Sequence, residues 1–285
     1  MKIVDTHLHV WNLRRAAYPW LEGDRSILNR TWSIEELEPA RAASGVTHGV
    51  LVQASGCMED TELMLETARN TPWVHGVVVW LPLTDTRRTA ALLETQFLSE
   101  PYFKGIRHQI HDEPDPRWLL QPAVIDSLQL LAQHDIPYDL VGVLPAHLET
   151  ALEVASRVPT LRMVFDHLNQ PPISSGEQSG RWHYLMREAA GHPNFYAKIS
   201  GLGTASGNFE GRTAEHILPY VEYVLTQFGA ERCCCGGDWP VSMLSDDYAG
   251  TWQTIRSILA KLCTAADQEK ILHDNACRFY NLSTD

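Results

Sequence analysis

No apolar run in this 285-residue chain approaches the roughly 20 residues that cross a bilayer, so no membrane-spanning helix is expected. Positive charge is scarce: 23 Lys and Arg against 35 Asp and Glu leave a formal net charge of −12. A surface of that sign repels phosphate, so neither nucleic acid nor an anionic membrane is expected as a partner. No two of the six cysteines form a CxxC pair, and the consecutive Cys233, Cys234 and Cys235 cannot bridge one another along a strand without distortion. They read as reduced, buried small hydrophobes, with a thiolate metal site built from Cys233 and Cys235 as the weaker alternative. Met1-Lys2-Ile3-Val4-Asp5 lacks the basic region, apolar block and small-residue cleavage site of an export signal, so a cytoplasmic location is expected. No glycine-rich loop follows the first predicted strand, where Trp11-Asn12-Leu13 stands instead, and this disfavours an open doubly wound sheet with its phosphate loop. There is no internal repeat, low-complexity tract or linker.

What the chain does have is alternation. Apolar, β-branched runs at 2–10, 47–54, 74–83, 103–110, 136–143, 161–168, 195–202 and 231–238 predict strands. Helical patterns lie between them, at 33–43, 60–70, 121–134, 145–157 and 213–228. Ser33-Ile34-Glu35-Glu36 reads as a capping box, and Pro122 and Pro145 suit first-turn positions. Eight strands alternating with helices predict an α/β fold, a (β/α)8 TIM barrel formed by residues 1–285 as one domain. The first βα connection, about 11–32, is long and carries Tyr18, Trp20, Asp24 and Trp32, which suits a cover over a site. Residues 173–180 read as a surface loop, and about 265–282 as a closing C-terminal helix.

The first strand holds the sharpest signal, His7-Leu8-His9. Strand side chains alternate, so both imidazoles are expected on one face, the face Asp5 also takes. In a barrel of this type, functional groups stand at the C-terminal strand ends. Those ends supply His7 and His9, then Gln53, Arg107 with His108, Asp166 with His167, Lys198, and Gly236-Gly237-Asp238-Trp239-Pro240. Three imidazoles and a carboxylate can hold one divalent metal, zinc by ligand type, or polarise a carbonyl without one. Asp238 is the expected general base for a water. A second metal is not expected beside Arg107, whose charge is permanent. Lys104, the candidate for a modified bridging lysine, stands before Gly105 rather than at a strand end. His111 and His147 are also near strand ends, and the remaining histidines read as surface or packing residues.

His7-Leu8-His9-Val10-Trp11, Leu51-Val52-Gln53, Lys104-Gly105-Ile106-Arg107-His108, Asp166-His167-Leu168, Lys198-Ile199-Ser200-Gly201-Leu202, Gly237-Asp238-Trp239-Pro240 and Asn275-Ala276-Cys277-Arg278-Phe279-Tyr280 occur in an order that resembles the amidohydrolase superfamily. Within it, the sequence is most similar to the branch of L-fuconolactonases and L-rhamnonolactonases, over 2–282. The resemblance implies hydrolysis of a sugar-derived lactone in a metal-assisted or histidine-assisted site. The expected catalytic set is Asp238, His7, His9 and His167, and the same four are the expected metal ligands. Arg107, His108, Gln53, Lys198, Trp32 and Trp239 are expected to bind substrate. The expected partner is a small lactone, and a homodimer is left open. Three alternatives stay open: a hydrolase of a carboxylated lactone such as a pyrone or muconolactone, a metal-dependent decarboxylase on the same barrel, and a non-catalytic lactone-binding barrel.

Overall fold

The computed structural model of the protein describes residues 1–205 and 213–284. Its strands follow one another round one sheet in chain order: β1 Val4–Leu8, β2 His48–Val52, β3 Val74–Val79, β4 Phe103–His108, β5 Tyr138–Leu140, β6 Met163–Phe165, β7 Phe195–Ile199 and β8 Cys233–Cys235. Each neighbouring pair is parallel. The ring closes by a parallel bridge between Leu8 and Trp239, with His9 N donating to Trp239 O and Asp238 N to His7 O, both at 2.8 Å. This is the (β/α)8 barrel that the periodicity predicts. The strands are shorter than the apolar runs, whose last residues leave the sheet for the connecting loops.

The helices are α1 Glu38–Ser44, α2 Met58–Asn70, α3 Thr86–Leu92, α4 Pro122–Gln133, α5 Pro145–Arg157, α6 Arg181–Ala190, α7 Ala214–Phe228, α8 Tyr248–Leu262, α9 Ala265–Glu269 and α10 Asn275–Tyr280. Pro122 and Pro145 open α4 and α5, where the missing N–H costs nothing. Glu36 reaches back to the Ser33 N–H at 3.1 Å, as the capping box predicts. The turn it caps is a short 3-10 turn, Ile34–Glu36, since Pro39 fits only the first turn of a helix and restarts it as α1. Among the described residues, no helix is long and apolar enough to cross a membrane.

Two apolar layers hold the barrel. The larger fills the space between sheet and helices and includes Cys233 and Cys235. The smaller fills the barrel itself with Val4, Val50, Val52, Val78, Val164 and Cys234, over Ala276, Phe279 and Tyr280 of α10. The three consecutive cysteines are buried free thiols, and burial lifts Cys234 to about 11. α10 therefore plugs the N-terminal end of the barrel and leaves the C-terminal end open. Phe279, 1% exposed, packs on Tyr196 with ring centroids 4.7 Å apart. Phe279→Ala should cost about 3–5 kcal/mol through loss of burial and the cavity it opens, read as a fall in the urea midpoint.

Candidate active site

The open end is built from β1 outward. Val4 lies in the barrel interior, and Thr6 Oγ1 donates to Cys235 O at 2.8 Å beside the Cys234 sulfur. Strict alternation would then send His7 outward with Asp5. Instead the pairing of β1 with β2 slips by one residue between Asp5 and Leu8, and the irregularity carries His7 to the inside. Asp5 stays on the helix side, where its carboxylate accepts from His7 N at 3.0 Å, Gly237 N at 2.8 Å and the Tyr248 hydroxyl at 2.7 Å. This corrects the expectation that Asp5 shares a face with His7 and His9.

His7, His9, His167 and Asp238 come together. His7 and His9 meet edge to face with centroids 4.8 Å apart, and His7 and His167 stand at 4.5 Å. Asp238 Oδ1 lies 3.8 Å from His7 Nε2 and 3.4 Å from His9 Nε2. His9 Nδ1 is 2.7 Å from the Val52 carbonyl, which only accepts, so that nitrogen carries the hydrogen and Nε2 turns its lone pair to the site. His167 begins a run of four non-glycine residues, His167 to Gln170, with φ between 49° and 55°, and Asp238 has φ 55°. Left-handed backbone at such residues costs about 1–3 kcal/mol each and persists where surrounding contacts enforce it. Here Ser200 Oγ holds His167 Nδ1 at 2.9 Å, and Trp182 Nε1 donates to Leu168 O at 2.9 Å. Gly201, itself at φ 56°, leaves the room: a Cβ there would lie 2.5 Å from His167 Nδ1 and 2.7 Å from Asp238 Oδ2.

Beneath the imidazoles lies a buried charge network. Lys198 Nζ, fully buried, reaches Asp139 at 2.6 Å and Asp166 at 2.8 Å. Asp166 also accepts from Arg107 Nη1 at 3.2 Å and stands 3.3 Å from His7 Nδ1. The Tyr280 hydroxyl caps Asp139 from below at 2.7 Å. Burial opposes the Asp166 charge, yet Lys198, His7 and Arg107 hold its carboxyl well below the usual range. Burial pushes Asp139 up to about 6 against the pull of Lys198. Burial likewise holds His7 well below its ordinary value despite Asp166, so its ring is neutral. Its Nδ1 stands between the Asp166 carboxylate and Lys198 Nζ, 3.3 Å from each, and its Nε2 lies 3.2 Å from Arg107 Nη1.

Above the imidazoles opens a cavity of about 310 Å³, walled by Trp11, Trp20, Val141, Val241 and Leu244 and by the polar groups of Arg107, Gln109, His111, His167, Gln170 and Asp238. The family profile described as amidohydrolase matches residues 4–282. The chain belongs to the amidohydrolase family. It is 34% identical over 282 residues to an L-fucono-1,5-lactonase of Burkholderia ambifaria, covering 98% of this chain and 95% of that one. It is 25% identical to an L-rhamnono-gamma-lactonase of Scheffersomyces stipitis, covering 99% of both. Among solved structures, an amidohydrolase of Burkholderia multivorans with bound zinc superposes with a TM-score of 0.91 at 26% identity, covering 99% of this chain and 100% of that one.

The donor set of this amidohydrolase fits one divalent metal. Ligand atoms of His7, His167 and Asp238 all lie within 4.8 Å of one another, and His9 faces the same carboxylate. Two imidazoles with a carboxylate make the open three-ligand pattern of catalytic zinc sites. Arg107, at hydrogen-bond distance from His7, brings a fixed positive charge that opposes a second ion.

The remaining predicted residues divide. Arg107 lines the cavity. Gln53 lies behind it, accepting from Arg107 Nε at 3.2 Å and donating to Gln109 at 3.0 Å, so it orients the guanidinium. Lys198 lies a layer below the cavity. His108 is a correction: it turns outward, stacked on Trp118 at 3.9 Å and bonded to Glu113 at 2.7 Å, because β4 alternation lets only Arg107 face inward. Trp32 and Trp239 pack on each other edge to face at 5.4 Å and support the loop instead of lining the cavity. Lys104 donates to Asn281 O at the closed end, far from any bridging position. His147 accepts from the N–H groups of Val143 and Leu144 at the start of α5, whereas His111 does line the cavity. Sequence reasoning missed Asp139. Its signal was a lone carboxylate inside the apolar run 136–143, which demands a buried partner. Lys198→Met should cost about 3–5 kcal/mol by leaving Asp139 and Asp166 undercompensated, measured by chemical denaturation.

Proposed function

We propose that this amidohydrolase opens a sugar-derived lactone to its hydroxy acid. The observation that carries the reading is the meeting of Asp238 with His7, His9 and His167 at the floor of a cavity in a chain 34% identical to an L-fucono-1,5-lactonase. At about 310 Å³ the cavity stands at the small end of ligand pockets, which suits a single sugar ring. Trp11 and Trp20 offer flat apolar walls for a sugar face, and Trp20 is held by its N–H on Ala54 O at 2.8 Å. Arg107 is the one guanidinium lining the cavity among the described residues, which favours a hydroxyl-rich lactone over a dicarboxylated pyrone.

In this reading Asp238 takes a proton from a water placed between it and the lactone carbonyl. The water oxygen bonds to the carbonyl carbon, and the ring C–O bond then breaks with its electron pair going to the ring oxygen. Asp238 returns the proton to the leaving alkoxide, so lactone plus water gives the hydroxy acid. His7, His9, His167 and Asp238 are also the residues that would hold one divalent ion, of zinc type by its ligands; when bound it supplies Lewis-acid polarisation of the carbonyl. Arg107 and Gln109 grip substrate hydroxyls, with Gln53 fixing Arg107 from behind. Residues 1–285 act as one unit, and a cytoplasmic place in carbohydrate catabolism goes with the reading.

Mixing the protein with a panel of aldonolactones and a pH indicator tests this. Acid release without CO₂ marks hydrolysis, CO₂ marks decarboxylation, and binding with neither marks an inert barrel. Asp238→Asn should bind the lactone with near wild-type affinity and lose about 10²–10⁴-fold in turnover; undiminished turnover rejects Asp238 as the base. Gly201→Ala should lose roughly 10²-fold, because its methyl displaces His167 and Asp238 by the order of an ångström.

A further inference from the structure

Where β2 ends, the chain needs partners for its own backbone. Gln53 N still donates to Val78 O at 2.9 Å, but Ala54 and Ser55 lie beyond the sheet and are buried, so each N–H requires an acceptor from elsewhere. One carboxylate serves both. Asp60, fully buried in the first turn of α2, reaches back so that its Oδ2 accepts from Ala54 N at 2.9 Å and from Ser55 N at 3.1 Å. Its other oxygen accepts from the Tyr18 hydroxyl at 2.9 Å, and Tyr18 belongs to the long first βα connection. Burial and Asp60 push the Tyr18 hydroxyl up, so it keeps its hydrogen and donates. Burial pushes Asp60 up to about 6 while these donors and Arg107 draw it down, so at neutral pH it is the carboxylate that its donors need.

The residues that Asp60 ties together carry two walls of the cavity. Gln53 accepts from Arg107 Nε at 3.2 Å through its side chain and from Arg107 Nη2 through its carbonyl oxygen, so the backbone at 53–55 sets the guanidinium. Ala54 O accepts from Trp20 Nε1 at 2.8 Å, and Trp20 stands edge to face on Trp11 at 5.2 Å. Ser55 Oγ donates to Ala17 O at 2.6 Å, a second tie to the first connection. Arg107 and Trp20 line the cavity from different elements, β4 and the first connection, yet both rest on the same short stretch of backbone. Asp60 lies behind that stretch and does not line the cavity.

We propose that Asp60 is a positioning residue for substrate binding: it touches no substrate, but it fixes the backbone on which Arg107 and the Trp20 indole both rest. The inference rests on the reading of the cavity as a lactone site and adds to it one shared support for two of the binding groups. Asp60→Asn keeps the shape and an acceptor for the loop N–H groups, yet it turns an amide N–H toward Tyr18, whose hydroxyl then loses its acceptor. The loop and the first connection part, and Arg107 and Trp20 lose their register with each other. Both groups hold the substrate alike in ground state and transition state, so the loss falls on KM and spares kcat.

Kinetics and hydrogen exchange on the full-length protein test this. With the lactone that the aldonolactone panel selects, Asp60→Asn and Tyr18→Phe should each raise KM about fivefold and leave kcat within about twofold. The double variant should be no worse than Asp60→Asn, since the two side chains act as one contact. Exchange of the indole N–H hydrogens is followed by NMR, with the Trp20 signal assigned by its loss in Trp20→Phe. Both variants should speed Trp20 exchange about tenfold, the mark of a local opening. Trp182, whose N–H is bonded to Leu168 O on the other side of the barrel, should keep its wild-type rate. A fall in kcat with KM unchanged, a Trp20 rate unmoved in both variants, or an equal rise at Trp182 overturns the proposal. Should no lactone be turned over, the lactone reading fails and Trp20 exchange alone decides the positioning. Should Asp60→Asn fail to fold, Tyr18→Phe decides it.

Discussion

The barrel depends on a charge balance where most interiors hold only hydrocarbon. Two cations, Lys198 and Arg107, and two carboxylates, Asp139 and Asp166, share its upper interior with Asp166 at the centre. Each alone would be too costly to bury; together, with the Tyr280 hydroxyl on Asp139, they satisfy one another. The arrangement reaches the site through His7. Asp166 and Lys198 bracket one ring nitrogen and Arg107 faces the other, so the imidazole is fixed in one orientation. A hydrophobic floor of equal volume would fill the barrel but leave the ring free to turn.

The two ends of the barrel divide their tasks accordingly. At the closed end, α10 supplies Phe279 and Tyr280 as an apolar plug, and its Tyr280 hydroxyl is the only polar reach into the network from that side among the described residues. At the open end the backbone is strained: His167 to Gln170 and Asp238 hold left-handed conformations that only strong surrounding contacts can impose. The rigid lower layer makes that strain affordable, and the strain aims His167 and Asp238 at the rings of β1. Gly201 is bare because the side chains of His167 and Asp238 leave no room for a methyl group.

Much of this was legible from residue order alone. Period changes predicted the strands and most of the helices, Pro122 and Pro145 marked helix starts, and the rule that function sits at strand ends singled out His7, His9, Arg107, His167 and Asp238. Errors came where a local irregularity or a longer contact decided. Alternation puts Asp5 with the histidines because it carries no sign of the one-residue slip in β1. Both Arg107 and His108 are expected at the site because only the register of β4 tells which of two adjacent residues faces inward. Trp32 and Trp239 are expected as substrate contacts, but they pack edge to face on each other.

The chain by itself determined the architecture, the sign of its surface and the residue types available for chemistry, since these follow from local periodicity and composition. Only the tertiary structure decided which of those residues meet: Asp139 with Lys198, Asp166 with His7, His9 with Asp238. The physical reason is that a closed barrel brings together side chains far apart in the chain, and pairing among them is set by bulges, register and burial that a linear pattern does not carry.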